Sequence, residues 1–198
     1  LNNIRIVRYD YGQGHYNNTD NCPWGLSSFS DGECTNWGNP IGEIYYEALR
    51  YFSGKTSPTS AFSTDDSGII SALSPVTWSD PYSTYPYCSN PFVMVISDTS
   101  PSFDSDQIPG SYFNSFSGDL SVDVDTETDT VGTNESLSGD YFIGQSGSSN
   151  DETCTAKTVS SNLGECRGLC PEEPGRQGSY YLAGLSHWGK TTDLRTDL

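Results

Sequence analysis

An α/β fold, with helices layered on a mostly parallel sheet, is predicted by three stretches of this 198-residue sequence. Residues 92–97 (FVMVIS) form an apolar run with three β-branched members, Val93, Val95 and Ile96, bounded by Pro91 and a Ser/Pro/Asp-rich segment. Such a run reads as a strand buried on both faces, the signature of a parallel sheet. Residues 39–54 repeat apolar positions at spacings of three and four, and residues 178–195 do the same, so each reads as a helix with one face on a core.

The strand carries the site argument. Asp98 follows directly at its carboxyl end, and open α/β sheets bind ligands outside the carboxyl ends of their strands. Ser100, Ser102, Asp104 and Asp106 come next, and together with Asp98 they offer hard oxygen donors suited to Mg2+ or Ca2+. The plainer alternative is that Asp98 caps a turn and the serines solvate a loop.

Taken in order, residues 4–9 (IRIVRY) read as a first strand whose Arg5 and Arg8 place it at an edge. Residues 10–38 are a glycine-rich loop, and the pair Gly12 and Gly14 lacks the third glycine of a nucleotide loop. In the helix over 39–54, Asn39 is the expected N-cap and Pro40 occupies the first turn, where no donor is lost. Ile41, Ile44, Tyr45, Ala48, Leu49 and Phe52 form its expected apolar face. Glu43 and Glu47 suit the positive end, Arg50 the negative end, and Gly54 the stop. Residues 55–90 are mostly loop, with a short ordered piece at 69–73. Residues 119–130 (DLSVDVDTETDT) alternate acids with Val and Thr, which predicts an acidic strand or hairpin. Asp123, Asp125 and Glu127 mimic the start of a calcium loop, without its glycine or closing Glu. Residues 139–144 (GDYFIG) read as a strand, 147–152 as loop, and 169–176 as turn-rich. In the last helix Tyr181, Leu185 and Trp188 share a face, and Gly184 and Gly189 either weaken it or mark close packing.

Composition narrows the function classes. Net charge is −17, from 26 acids against 9 bases, and residues 56–156 contain no Lys, Arg or His while holding fifteen Asp and Glu. Such a surface repels nucleic-acid phosphates and anionic lipid, and attracts cations or a basic partner. No apolar run reaches the length of a membrane span and no signal-peptide pattern is present, so an exported chain would have its targeting segment removed or outside these residues. Six cysteines, Cys22, Cys34, Cys88, Cys154, Cys166 and Cys170, in a polar chain point to disulfides and export. The pairing stays open, with Cys22–Cys34 favoured by its short intervening segment. Zinc is disfavoured, because Cys166 and Cys170 have no second close pair and His15 and His187 lack ligand spacing.

Four blocks carry a family resemblance: GNPIGEIYYEALRYFSG (38–54), CSNPFVMVISDTSPSFDSDQIPG (88–110), GDYFIGQSG (139–147) and RGLCPEEPGRQGSYYLAGLSHWGKTTDLRTDL (167–198). In sequence and order they resemble the PilY/PilC family, the bacterial type IV pilus biogenesis factors and tip adhesins. The resemblance implies a von Willebrand factor A-like (Rossmann-type) sheet, here a fragment with long disulfide-stabilised, β-rich loop insertions. Residues 1–198 would form one partial domain, with 99–168 an acidic loop and β-hairpin insertion within it. In that fold a metal-ion-dependent adhesion site uses a DxSxS loop, a Thr and a later Asp. By position Asp98 falls at that Asp and Asn39 at the Thr, with Asn a weaker ligand. The literal DxSxS over 98–102 sits in the wrong strand block, and the true one would lie before Leu1. The chain then reads as an internal piece of a longer protein.

The expected metal set is Asp98, Asn39, Ser100 and Ser102, with Mg2+ or Ca2+. The resemblance implies a cell-surface module at the pilus tip or outer membrane, exported through the periplasm. Its partners would be minor pilins or other pilus tip components, a surface or host ligand, and the remainder of the chain, with neither nucleic acid nor a direct membrane span. A secreted acidic domain that binds cations without adhesive role is the alternative. Enzymatic activity is not expected: His187 and Asp193 accompany many serines, but no G-x-S-x-G elbow appears, and Asp104 with Asp106 is a weak case for a carboxylate pair.

Overall fold

The computed structural model describes residues 8–10, 15–17, 39–63, 65, 67, 74–84, 90–97, 100–170 and 177–198. The expected strand at 4–9 is described only at its end: β1 (Arg8–Asp10) pairs antiparallel with β2 (His15–Asn17). The ordered piece expected at 69–73 lies outside the described residues, as do Cys22, Cys34 and Cys88.

Helix α1 spans Ile41–Phe52 and ends where Gly54 turns left-handed at φ +80°. Its start differs from expectation. Pro40 occupies the cap position without a side-chain bond, because the Asn39 side chain is drawn into contacts with residues 97 and 100. Its buried face is also rotated from the predicted one. Gly42, Glu43, Tyr46, Leu49 and Arg50 face inward, while Ile44 is 63% exposed. Polar partners select that face: Arg50 makes a two-pronged contact with Asp119 at 2.8 and 3.0 Å and reaches Glu47 at 3.1 Å. Buried charges persist only when paired in this way. A short helix, α2 (Pro81–Thr84), is held through Asp80, which receives both Arg195 guanidinium nitrogens at 2.9 and 3.0 Å.

The acidic stretch is a helix, not a strand. Helix α3 covers Val124–Asn134, with Asp123 extended before it and accepting from the Thr126 N–H at 2.9 Å. Asp125 and Glu127 lie in the first turn, where the helix dipole favours anions. Val124, Thr128 and Gly132, spaced by four, form its buried stripe. Helix α4 (Tyr181–Thr191) packs there, burying Tyr181, Leu185 and Trp188 as expected. Of the two readings of its glycines, close packing holds. A Cβ on Gly184 would collide with Thr128 Oγ1 and lie 2.7 Å from the Thr128 nitrogen, and one on Gly189 would meet Leu49 at 2.7 Å.

The described sheet is antiparallel rather than parallel. Its order is β4-β3-β5, from β3 (Ser138–Ser146), β4 (Ser149–Ser160) and β5 (Cys166–Leu169). The strand expected at 139–144 is β3. The loop expected at 147–152 shrinks to a tight turn at Gly147, φ +54°, because the strand resumes at Ser149. Two cores result. One joins Tyr46, Leu49, Ile108, Phe113, Val122, Val124, Tyr181, Leu185 and Trp188; the other joins Ile143, Val159, Leu163, Cys166 and Leu169. Tyr180 packs on the second and Tyr181 sits in the first, so the start of α4 links them.

The run at 92–97 does not form a buried strand among the described residues. It is free of regular secondary structure, and Phe92, Met94 and Ile96 are 86%, 82% and 87% exposed, against 37% and 43% for Val93 and Val95. A central strand is buried by ladders on both edges, and no described strand pairs with this one. A disulfide joins Cys154 in β4 to Cys170, just past β5. Cys166, counted among the disulfide candidates, is instead a buried free thiol.

Two measurements check this account. Gly184→Ala forces a methyl into the α3 backbone and should cost about 1–3 kcal/mol, read as a lowered urea midpoint. Replacing Cys154 and Cys170 by Ser reopens a loop of sequence separation 16 and should cost about 3 kcal/mol by the same readout.

Candidate functional site

The site region is the junction between the start of α1 and residues 97–108. Asn39 and Ser102 form an isolated antiparallel bridge, Asn39 N to Ser102 O at 3.0 Å and Ser102 N to Asn39 O at 3.1 Å. The Asn39 N–H also reaches Ser102 Oγ at 3.1 Å. Its carboxamide nitrogen donates to the Ser100 carbonyl at 3.0 Å, and its carboxamide oxygen accepts from the Ser97 hydroxyl at 2.7 Å. Three of the four expected metal ligands, Asn39, Ser100 and Ser102, are thereby brought together although more than sixty residues of sequence separate Asn39 from the serines. The fourth, Asp98, lies outside the described residues. The three that are described supply neutral oxygens only. Among the described residues no group of three or more His, Cys, Asp or Glu is placed to hold a metal. The fit to a hard cation therefore turns on the charge that Asp98 would add.

Behind this bridge lies an acid cluster. Asp104 is fully buried at 0% exposure, and its Oδ1 accepts from the Gly42 N–H in the first turn of α1. That approach needs the absent side chain at 42: a Cβ there would stand 3.1 Å from both carboxylate oxygens. Asp104 Oδ2 has no hydrogen-bond partner. Glu43 is also buried, accepts from the Gln107 N–H at 3.0 Å, and shares a hydrogen bond with Asp106. Loss of water pushes the Asp104 carboxyl up to about 8, against the opposing pull of the Gly42 and Glu43 N–H groups. Burial, then the bond and charge of Asp106, push Glu43 up to about 9.

Sequence reasoning placed Glu43 at the positive end of the helix and Asp104 among the oxygen donors that follow Asp98; both are interior. The legible signal was Gly42, a glycine in the first turn of an otherwise good helix, which marks the close approach of another group. The acids of 119–130 were also read as a surface. Each instead has a partner: Asp119 with Arg50, Asp123 with the Thr126 N–H at 2.9 Å, Asp125 with the Tyr181 hydroxyl at 2.8 Å, Glu127 with His187 at 2.7 Å and Asp129 with the Gly164 N–H at 2.8 Å.

The cluster sets a pH dependence. Glu43 is raised from an ordinary 4.5 to about 9, so between those values the folded protein keeps a proton that the unfolded chain releases. Its contribution to stability is complete below pH 4.5 and is lost as pH climbs towards about 9. Glu43→Gln keeps the acceptor for Gln107 and cannot ionise. Relative to the parent, its urea midpoint should rise between pH 5 and pH 8, by the equivalent of at least about 1 kcal/mol. Parallel pH profiles for the two proteins would show that Glu43 is not held protonated.

Comparison with known proteins adds the family. Residues 1–189 match the family model described as PilY1 homolog, second domain. A curated relative, the type IV pilus biogenesis factor PilY1 homolog of Xylella fastidiosa, is 35% identical over 207 residues. That alignment covers 96% of this chain and 14% of the relative, so the chain spans about one seventh of the relative's length. No solved structure matches. No helix among the described residues is long and apolar enough to cross a membrane. A match over nearly the whole sequence to one domain model, with a relative of this identity, shows that the chain belongs to the PilY1-homolog family and corresponds to its second domain.

Proposed function

We propose that this domain is a non-catalytic module of a type IV pilus biogenesis factor, displayed outside the cell, whose adhesive or assembly contact is made at the junction of α1 and residues 97–102. The observation that carries the reading is the Asn39–Ser102 bridge, which gathers the oxygens of Asn39, Ser97, Ser100 and Ser102 at the end of the apolar run. In this reading residues 92–97 are an interior strand of a von Willebrand factor A-like sheet, whose neighbouring strands come from the rest of a longer chain. Residues 99–168 are the acidic insertion in that sheet. The two-level exposure of the run, with Val93 and Val95 half covered and Phe92, Met94 and Ile96 open, supports it, because alternate side chains of a strand face opposite sides. Asp98 would bring the negative charge for Mg2+ or Ca2+, and a partner's carboxylate could complete the coordination. The partners are then pilus tip components, minor pilins among them, or a surface ligand.

The acidic-scaffold alternative draws less support. The acids of 119–151 are committed to Arg50, Tyr181, His187, Gly164 and Lys157, which leaves few to gather cations diffusely. Catalysis draws no support either: His187 is engaged by Glu127 and Asp193 by the Arg195 N–H.

The experiment pairs calorimetry with phenotype. Ca2+ or Mg2+ titration should show a single saturable event, lost in Asp98→Ala. The same substitution in the full-length protein should lower surface attachment or pilus number. Normal attachment and pilus number with residues 1–198 deleted would sink the proposal.

A further inference from the structure

In the β3–β4 ladder Ile143 faces Thr155, and the next pair is Gln145 with Asn150. Four residues of β4, 151–154, therefore bulge opposite the single residue Gly144. Such an insertion loses ladder hydrogen bonds and persists only where something else holds it. The holding group is the Lys157 ammonium. Its side chain is 3% exposed, and its three N–H donors are shared among four oxygens: the Ile143 carbonyl at 2.7 Å, Asp151 Oδ1 at 2.7 Å, Thr155 Oγ1 at 2.8 Å and the Thr153 carbonyl at 3.1 Å. The ring is itself tied together, since Asp151 accepts from the Thr153 N–H at 3.1 Å and from the Thr155 hydroxyl at 2.9 Å. Cys154, inside the bulge, is anchored to Cys170 by the disulfide. The ammonium beside Asp151 also holds that carboxyl below the usual range.

We propose that the bulge at 151–155 is a cation cage built for an ammonium-sized monovalent ion, with Lys157 Nζ as its tethered occupant. Alternate residues 151, 153 and 155 supply a carboxylate, a carbonyl and a hydroxyl, and Ile143 closes the ring from the facing strand. The oxygens stand 2.7–3.1 Å from the nitrogen, farther than the 2.3–2.6 Å of calcium coordination. The cage is thus sized for an N–H donor rather than a bare divalent ion. The hairpin carries its own cation, and its order does not depend on the calcium or magnesium proposed for the other site. This inference stands on different residues from those of the proposed function and survives if that reading fails.

Removing the tether tests it. In the full-length protein with the disulfide intact, Lys157→Ala should speed hydrogen exchange of the β4 amides. Ammonium chloride should restore protection saturably. At about ten times its dissociation constant the closed-to-open ratio should rise roughly tenfold. Tetramethylammonium chloride at equal ionic strength should not restore it, and neither salt should act differently from the other in the Asp151→Asn/Lys157→Ala double variant. Equal responses to the two salts in Lys157→Ala would overturn the proposal. Should that variant fail to fold, acetylation of the parent protein decides. Lys157 should react roughly tenfold or more slowly than the exposed Lys190, and Asp151→Asn should remove most of that protection. Comparable rates for the two lysines in the parent would overturn the cage.

Discussion

The close approach of α3 and α4 is the constraint on which the described structure depends. Gly184 lets the α4 backbone lie on Thr128, and Thr128 can present a flat surface because its hydroxyl turns back to the Val124 carbonyl at 2.7 Å. With the helices this close, Tyr181 reaches Asp125 and the Tyr112 N–H, His187 reaches Glu127, and Leu185 and Trp188 meet Tyr46 and Leu49 from α1. The same approach sets Tyr180 against the sheet. A wider spacing would leave each of those polar atoms short of its partner. Buried donors and acceptors left unmade cost about 1–3 kcal/mol apiece, so a small change in helix separation acts on several bonds together.

That contact also explains how so acidic a chain folds. A run such as Asp119, Asp123, Asp125, Glu127 and Asp129 would repel itself if laid along one face of a strand. On a helix, successive acids two apart point in different directions, because each residue turns by about 100°. One caps the N-terminus, one meets a tyrosine and Arg167, one meets a histidine, and one meets a backbone N–H. Arg167, buried at 3.5 Å from Asp125 and stacked over the Tyr112 ring, extends that compensation into β5. The negative charge is distributed into caps and pairs instead of being held off by solvent alone.

These facts show which parts of the fold the sequence could disclose. The helix at 181–191 was legible because Tyr181, Leu185 and Trp188 are large and apolar at helical spacing, and the core they enter is the one their pattern requires. Strand β3 was legible because its aromatic and β-branched residues lie between glycines. The helix at 124–134 was not legible, because its buried stripe is Val124, Thr128 and Gly132, too small and polar to register as an apolar face. Its alternating acids suggested a period of two, when what they reflect is four separate partners. The start of α1 was read correctly as a helix and wrongly as a cap, because the competing bonds to Asn39 come from residues 97 and 100, which no local rule can see.

The candidate site shows the same division. Asn39, Ser100 and Ser102 were singled out for their oxygens, and they do converge, but the acids packed behind them, Glu43 and Asp104, are buried carboxyl groups that loss of water pushes towards the protonated form. The two layers are mechanically coupled. Asp104 holds the Gly42 N–H while Ser102, two residues earlier, holds the Asn39 backbone. A shift of the 100–108 segment therefore moves the first turn of α1 with it, and a change in the charge of the buried acids would be felt at the bridge. The apolar run at 92–97 is tied to the same place by its last residue, because the Ser97 hydroxyl donates to the Asn39 carboxamide oxygen at 2.7 Å.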